Sequence, residues 1–88
     1  MSARFALGRV VATPGALELV GPEGVYGLLR RHAAGDWGDL DAHDRGENSR
    51  ALKTGARIFS AYETPAGRVW VITEADRSST CVLLPSEY

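Results

Sequence analysis

The stretch RIFSAYETPAGRVWVITEADRSSTCVLLPSEY, residues 57–88, decides the fold of this chain. It contains three apolar runs, at residues 57–63, 68–74 and 80–84, and two segments rich in turn-forming residues separate them. Short apolar runs bounded by Gly, Pro, Asp and Ser are typical of β-strands joined by tight connections. We therefore predict a three-stranded antiparallel meander. Its middle strand is apolar on both faces and should lie in the centre of the sheet.

The N-terminal segment predicts one further strand. Residues 4–12 combine alternating and paired apolar side chains, and Gly8 within them indicates a bulge or a close backbone approach. Thr13-Pro14-Gly15 is typical of a β-turn, because proline fixes φ and glycine tolerates a positive φ. Residues 16–20 fit either the second arm of a hairpin or a short helix.

Two helices are predicted between this strand and the meander. Pro22 suits the first position of a helix, and Gly35 is a typical residue at which a helix ends. The second helix begins at Asp39 or Asp41, whose carboxylate can accept the N–H groups of the first turn. It runs to about Thr54, before another glycine.

This order of elements predicts the fold class. Helices grouped between strands favour an α+β domain, here a mainly antiparallel sheet with two helices packed on one face. The sheet comprises the N-terminal strand and the C-terminal meander. The 88 residues fit one domain, residues 1–88. Ten residues should supply most of the core: Phe5, Leu7, Val10, Leu28, Leu29, Ile58, Trp70, Ile72, Val82 and Leu84.

The composition narrows the classes of function. A net charge of −1 gives the whole chain no attraction to nucleic acid or to an anionic membrane. The single cysteine, Cys81, excludes an intrachain disulfide and favours a reducing compartment. The N-terminus lacks the apolar core of a signal peptide, and no run approaches the roughly 20 apolar residues of a membrane span. We therefore expect a cytoplasmic protein.

The titratable residues form no recognisable catalytic or metal-binding motif. His32, Asp36, His43 and Asp44 are the best metal candidates, but zinc sites need three or four ligands at fixed spacing. The first helix should end between His32 and Asp36, and His32 should instead pack at the margin of the core. Cys81 lies in a predicted strand, where a free cysteine behaves as a small hydrophobe. We predict no metal, no cofactor and no catalytic residue.

The segment DWGDLDAHDRGE, residues 36–47, is the one local charge asymmetry. A row of carboxylates can resemble a row of phosphates and steer association with a basic groove. The alternative is that these side chains cap a helix and face water. Trp37, within the segment, is either a core anchor or an exposed interface aromatic, and we include it with the carboxylates as a candidate partner-binding residue. We call the five carboxylates the acidic surface: Asp36, Asp39, Asp41, Asp44 and Glu47.

Two further groups of charged residues lie in the meander. The second turn of the meander carries Glu74, Asp76 and Arg77. It is either a recognition loop or a solvated turn. Two helices followed by a meander also occur in ribosome-dependent mRNA interferase toxins, which cleave RNA with basic residues on the sheet. Here the meander offers Arg57, Arg68 and Arg77 interspersed with acids, whereas RNA binding requires a net basic face.

Taken whole, the chain resembles a family of small proteins carried by proteobacterial plasmids, phages and integrated elements. The resemblance rests on residues 5–17, 31–41, 58–62, 69–78 and 82–88, which together cover nearly the full length. Members are labelled "plasmid-related" or "type I restriction endonuclease subunit M". The second label is a misnomer, because this chain is too short for a methyltransferase subunit and has no Gly-rich cofactor loop.

The resemblance implies a mobile-element setting, in which small accessory proteins inhibit host defence, as anti-CRISPR and anti-restriction proteins do. We therefore expect a non-enzymatic inhibitor, monomeric or homodimeric, that binds a CRISPR effector or restriction complex through the acidic surface. We expect no direct contact with nucleic acid or membrane. The alternatives are a toxin-like ribosome-dependent ribonuclease of a toxin–antitoxin system, and a plasmid maintenance or adaptor protein.

Overall fold

The fold comprises a four-stranded mixed sheet and two helices, and a computed structural model describes it for residues 3–88. The predicted α+β class and the C-terminal meander are confirmed. Neither helix in this described range combines the length and the apolarity needed to cross a membrane. The elements are β1 (Arg9–Ala12), α1 (Pro14–Ala33), α2 (Ala42–Thr54), β2 (Ile58–Thr64), β3 (Gly67–Thr73), β4 (Ser79–Leu83) and a C-terminal 3-10 turn (Pro85–Glu87).

The strand order is β1-β4-β3-β2, so the N-terminal strand lies beside the last strand. The meander is antiparallel throughout, whereas β1 pairs with β4 in parallel, with Arg9 beside Ser79 and Ala12 beside Val82. The strand is shorter than the predicted residues 4–12. Gly8 has a φ of 66°, outside the extended region, so regular pairing begins only at Arg9.

Helix α1 begins eight residues earlier than Pro22, and the predicted turn at residues 13–15 is wrong. Thr13 is the N-cap, and its side-chain oxygen accepts a hydrogen bond from the Ala16 N–H at 3.1 Å. Pro14 occupies the first turn, where an N–H would have no acceptor within the helix, so proline costs no hydrogen bond there. Gly21, with a φ of 74°, then kinks the helix before Pro22.

The other helix ends follow the sequence prediction. Gly35, at a φ of 87°, follows α1 in the left-handed conformation that glycine adopts without strain. Of the two candidate caps for α2, Asp41 is the one used, since its side chain accepts from the Asp44 N–H. Gly55, at a φ of 80°, ends α2.

The core lies between α1 and one face of the sheet. Alternate residues of the strands point to that face and meet the buried stripe of α1. Helix α2 contacts the sheet through β2 and buries a second cluster. The main cluster is Ala16, Val25, Leu28, Leu29, Tyr62, Val69, Val71 and Val82.

The predicted core is mostly confirmed, with Val10 the exception. Leu28, Leu29, Ile58, Ile72 and Val82 are buried, while Phe5, Leu7, Trp70 and Leu84 are partly buried. Val10 is 43% exposed. It lies on an edge strand that has a neighbouring strand on one side only.

The outer edge of β2 is closed by the chain between α1 and α2 and by α2 itself. The Asn48 side chain donates to the Phe59 carbonyl at 2.6 Å and accepts from the Phe59 N–H at 3.1 Å. Further along, the Asp39 N–H donates to Ala61 O, and the Ala61 N–H donates to Trp37 O. These bonds satisfy backbone groups that an open sheet edge would leave free for another strand.

Candidate functional site

The acidic surface occupies the connection between the helices and the first two turns of α2. Asp36 follows the end of α1, and Asp39 lies against the edge of β2. Asp41 caps α2, whose first two turns carry Asp44 and Glu47. All of these side chains are exposed except Asp44, which is half-buried. The five predicted residues therefore lie on two consecutive parts of the chain, the α1–α2 connection and the start of α2.

Asp36 is the member of this group whose charge is most fully compensated. Arg31 Nε donates to its carboxylate at 2.7 Å, and the Gly38 N–H donates to its other oxygen at 3.1 Å. The hydrogen bond from Arg31 is the main reason that the pKa of Asp36 is lowered. The same guanidinium lies 4.6 Å from the centre of the Tyr62 ring. Asp36 therefore acts first as a partner of Arg31.

Asp39 and Asp41 are held by backbone N–H groups. Asp39 Oδ2 accepts from the Glu63 N–H at 2.8 Å, and Asp41 Oδ1 accepts from the Asp44 N–H at 2.9 Å. A backbone donor orients a carboxylate without cancelling its charge. Within residues 3–88, Asp39, Asp41 and Asp44 form no salt bridge. These three carboxyl groups therefore carry the uncompensated negative charge of the segment.

The remaining charged side chains of the segment are Glu47 and Arg45, and they do not pair with each other. Glu47 pairs with Arg50 at 2.5 Å, and both side chains are largely exposed, so this pair adds little stability. Arg45 donates to the carbonyls of Leu40 and Gly38, at 2.9 and 3.0 Å. The Arg45 side chain therefore holds the α1–α2 connection by binding its backbone carbonyls, and it does not pair with an acidic side chain.

Trp37 is a core residue, which agrees with the first of its two interpretations and not with its place among the candidate partner-binding residues. It is 8% exposed, and its ring lies 6.2 Å from that of Phe5 and 6.0 Å from that of His32. An interface aromatic must be accessible to a partner. Trp37 therefore anchors the acidic segment to the core but does not itself form part of the surface.

His32 is completely buried at the centre of a chain of polar side chains, not at the margin of the core as predicted. Thr80 Oγ1 donates to the Leu7 carbonyl at 2.7 Å, so Thr73 must donate to Thr80 Oγ1. His32 Nε2, at 2.9 Å, then donates to Thr73, and His32 Nδ1 accepts from Ser60 Oγ at 2.6 Å. Every hydroxyl in this chain is satisfied when His32 is neutral.

The same contacts remove His32 from the group of metal candidates, because both ring nitrogens already have partners. Asp36 is paired with Arg31, and His43 is an exposed residue of α2. Across residues 3–88, no group of three or more His, Cys, Asp and Glu side chains is placed to hold a metal ion. Burial raises the pKa of the half-buried Cys81 thiol, which disfavours the reactive thiolate.

Burial of His32 makes the stability of the protein depend on pH. Desolvation lowers the pKa of His32 from 6.5 to about 4. The unfolded chain therefore binds more protons than the folded one between these values, and the free energy of unfolding rises with pH. Acidification from neutral pH through pH 4 should lower the free energy of unfolding by up to about 3 kcal/mol. Urea unfolding of wild type and His32→Gln across this pH range measures this loss of stability.

All other titratable groups are the same in the two proteins, so the difference between their free energies of unfolding isolates the contribution of His32. That difference should shrink as the pH falls. A difference that stays constant with pH would show that His32 is not held neutral by burial.

The turn between β3 and β4, which carries Glu74, Asp76 and Arg77, is held by internal contacts. The Arg77 guanidinium donates to four backbone carbonyls, among them those of Ala51 and Ala56 at 3.1 and 2.7 Å. The Ser78 N–H donates to Asp76 Oδ1 at 2.9 Å within the turn. Arg77 therefore latches the β3–β4 turn onto the end of α2 and the start of β2, which favours the interpretation of a structural turn.

The other two arginines of the meander are also engaged. Arg57 donates to the Tyr88 hydroxyl at 3.1 Å and lies 3.5 Å from a Glu74 carboxylate oxygen. Arg68 forms an ion pair with Glu63. Each of the three guanidinium groups of the meander, those of Arg57, Arg68 and Arg77, thus has an acidic or carbonyl partner, and the meander presents no net basic face for RNA.

An aromatic cleft on the sheet face opposite α1 was not predicted. Phe59 and Tyr88 place their rings edge-on to Trp70, at 5.0 and 5.7 Å between centroids. With Arg57 and Ile72 they line a cleft of about 250 Å³. Trp70 Nε1 is buried and has no acceptor within residues 3–88. Period-two alternation along β3 places Trp70 and Ile72 on one face, a signal obscured by treating the strand as buried on both sides.

Comparison with known proteins adds no relative to this picture: no protein-family model, no curated protein and no solved structure matches the chain.

Proposed function

We propose that the protein is a non-enzymatic inhibitor carried by a mobile element, which binds a nucleic-acid-handling defence complex in the cytoplasm of its host. The partner would be a CRISPR effector or a restriction complex, contacted through the acidic surface. The observation that carries this proposal is that Asp39, Asp41 and Asp44 are exposed or half-buried and lack a salt-bridge partner within residues 3–88.

The fixed orientation of these carboxylates supports a binding role. Asp39 is held by the Glu63 N–H and Asp41 by the Asp44 N–H, so both side chains are already ordered before a partner binds. Pre-ordering of this kind improves affinity by lowering the entropic cost of binding. A basic groove built for phosphates would attract such a row of charges over several ångströms and fix its orientation.

The ribonuclease alternative has less support. It needs basic side chains free to neutralise phosphate, and Arg57, Arg68 and Arg77 are all engaged by acids or carbonyls. In the plasmid maintenance or adaptor alternative, the partner would be a protein outside the host defence complexes.

Neutralising two carboxylates tests the proposal without disturbing the fold. Asp41→Asn/Asp44→Asn keeps a side-chain oxygen at the N-cap of α2, where Asn serves as well as Asp. Glu18→Gln/Glu23→Gln removes two charges from α1 and is the matched control. We expect the first pair to weaken binding to the defence complex at least about tenfold, about 1.4 kcal/mol, and the control pair to leave it unchanged.

The measurement is capture of identified CRISPR or restriction complexes from host cytosol by immobilised protein at low and high salt. Capture that falls with salt and with the Asn pair agrees with the proposal. Capture that responds equally to both charge pairs, or recovery of ribosomes or an antitoxin in place of a defence complex, would contradict it.

A further inference from the structure

The outer edge of β1 has no hydrogen-bonded neighbour within residues 3–88, unlike the outer edge of β2. The Arg9 N–H donates to Ser78 O and the Thr13 N–H donates to Val82 O, both at 2.9 Å. Alternate residues of a strand direct their backbone groups to opposite sides, so those of Val10 and Ala12 point away from β4. Neither has a hydrogen-bond partner on that side in the described chain. Four backbone groups are therefore available to another strand.

One antiparallel register with a second copy uses all four groups. If Val10 lies opposite Ala12 of the second copy, each pair exchanges two N–H···O bonds. A shift by two residues in one direction brings in Gly8, which leaves the strand with a φ of 66°. A shift the other way brings in Pro14, which has no N–H. Hydrogen bonding thus selects the register in which Val11 faces Val11 across a two-fold axis.

The charges at the ends of β1 are complementary in this register. Arg9 would lie opposite Thr13 of the second copy, whose hydroxyl donates to Glu87 Oε1 at 2.5 Å. Both Arg9 and Glu87 are exposed, and neither forms a salt bridge within residues 3–88. Two symmetry-related Arg9–Glu87 pairs would therefore form at the rim of the contact and fix its direction.

Three of the five large apolar side chains that are exposed within residues 3–88 lie at this edge or beside it; the other two are Leu17 and Tyr88. Val10 and Val11 are 43% and 42% exposed, and Tyr26 on α1 is 63% exposed. Val10 and Tyr26 line an apolar groove of about 380 Å³ between α1 and the edge. A two-fold axis perpendicular to the sheet keeps both copies of α1 on the same side, so the two grooves would lie next to each other.

From these observations we propose that a second copy of this chain pairs with β1, giving a symmetric dimer with a continuous sheet of four strands from each copy. Strand addition at an open edge supplies the backbone bonds, and the exposed valines and Tyr26 supply the apolar contact. The contact is small, so the dimer should dissociate on dilution.

Sedimentation equilibrium of the full chain over a wide concentration range tests the dimer. Wild type should shift from monomer to dimer mass as the concentration rises. Val11→Lys places two ammonium groups face to face at the axis and should raise the dissociation constant at least about tenfold. Leu17→Lys, at a side chain that is also 42% exposed, is the matched control and should behave as wild type. A monomer at every concentration, or a dimer unaffected by Val11→Lys, would overturn the proposal.

Disulfide trapping tests the register separately. Residues directly opposite at a non-hydrogen-bonded position have Cα atoms about 4.5 Å apart, within the range that a disulfide spans. In a Cys81→Ala background, Val11→Cys should form a covalent dimer under mild oxidation, and Leu17→Cys should not. Equal cross-linking of the two would refute this register. The edge does not involve the acidic surface, so Asp41→Asn/Asp44→Asn should leave the mass unchanged whether or not the proposed function holds.

Discussion

Replacement of His32 by alanine should lower the free energy of unfolding by at least about 3 kcal/mol. The side chain is completely buried and bonds to Ser60 and Thr73, at 2.6 and 2.9 Å. Alanine would leave both hydroxyls without one partner in an apolar interior and would open a cavity beneath α1. Unpartnered buried polar groups and lost packing are the two contributions that make single substitutions this costly.

Urea unfolding at neutral pH measures this effect, and the second histidine provides the control. His43 is exposed on α2, so His43→Ala should change the free energy of unfolding by less than about 0.5 kcal/mol. Similar midpoints for the two variants would contradict the buried polar chain described above.

Replacement of Asn48 by alanine should cost about 2–3 kcal/mol, the second largest effect. Asn48 is a buried polar residue of α2, and its amide bonds both the N–H and the carbonyl of Phe59. Alanine would leave both backbone groups of Phe59 unpaired at the edge of β2. The loss would also loosen the only side-chain hydrogen bonds by which α2 reaches this strand in the described chain.

Two variants separate this role from helix propensity. Ser49→Ala changes the exposed neighbouring position and should be neutral or slightly stabilising. Asn48→Asp keeps the acceptor for the Phe59 N–H but loses the donor to its carbonyl, so it should also destabilise. Unfolding monitored by circular dichroism measures all three. Stability of Asn48→Ala within about 0.5 kcal/mol of wild type would show that the edge is held by other contacts.

The fold class could be predicted because its information is local. The apolar runs and turn residues in residues 57–88 and the caps Asp41 and Gly55 each act within a few residues, and the structure agrees with them. The predicted turn at residues 13–15 is wrong because Thr13 and Pro14 suit a helix start as well as a turn. The parallel pairing of β1 with β4 joins residues about 70 positions apart and leaves no periodic trace in the sequence.

The candidate site was predictable in composition but not in contacts. The five carboxylates are visible as a run, whereas the partners that distinguish them are not. Arg31 compensates Asp36, and the Glu63 N–H orients Asp39 from a strand 24 residues away. The sequence places His32 at the margin of the core but does not indicate the hydroxyl groups that bond its ring. Asn48 gives no sequence signal for its role, because an isolated polar residue in a helix looks the same whether it faces water or a strand edge. Tertiary packing decides between the two.

We propose that the protein inhibits a host defence complex through its acidic surface. The most direct test of this proposal is the plating efficiency of targeted phage on strains that each carry one CRISPR or restriction system and express this protein. On at least one strain, wild type and Glu18→Gln/Glu23→Gln should raise plating to the level of a strain without defence, and Asp41→Asn/Asp44→Asn should not. Plating efficiency that is unchanged on every strain, or that is raised equally by both charge variants, would contradict inhibition through the acidic surface.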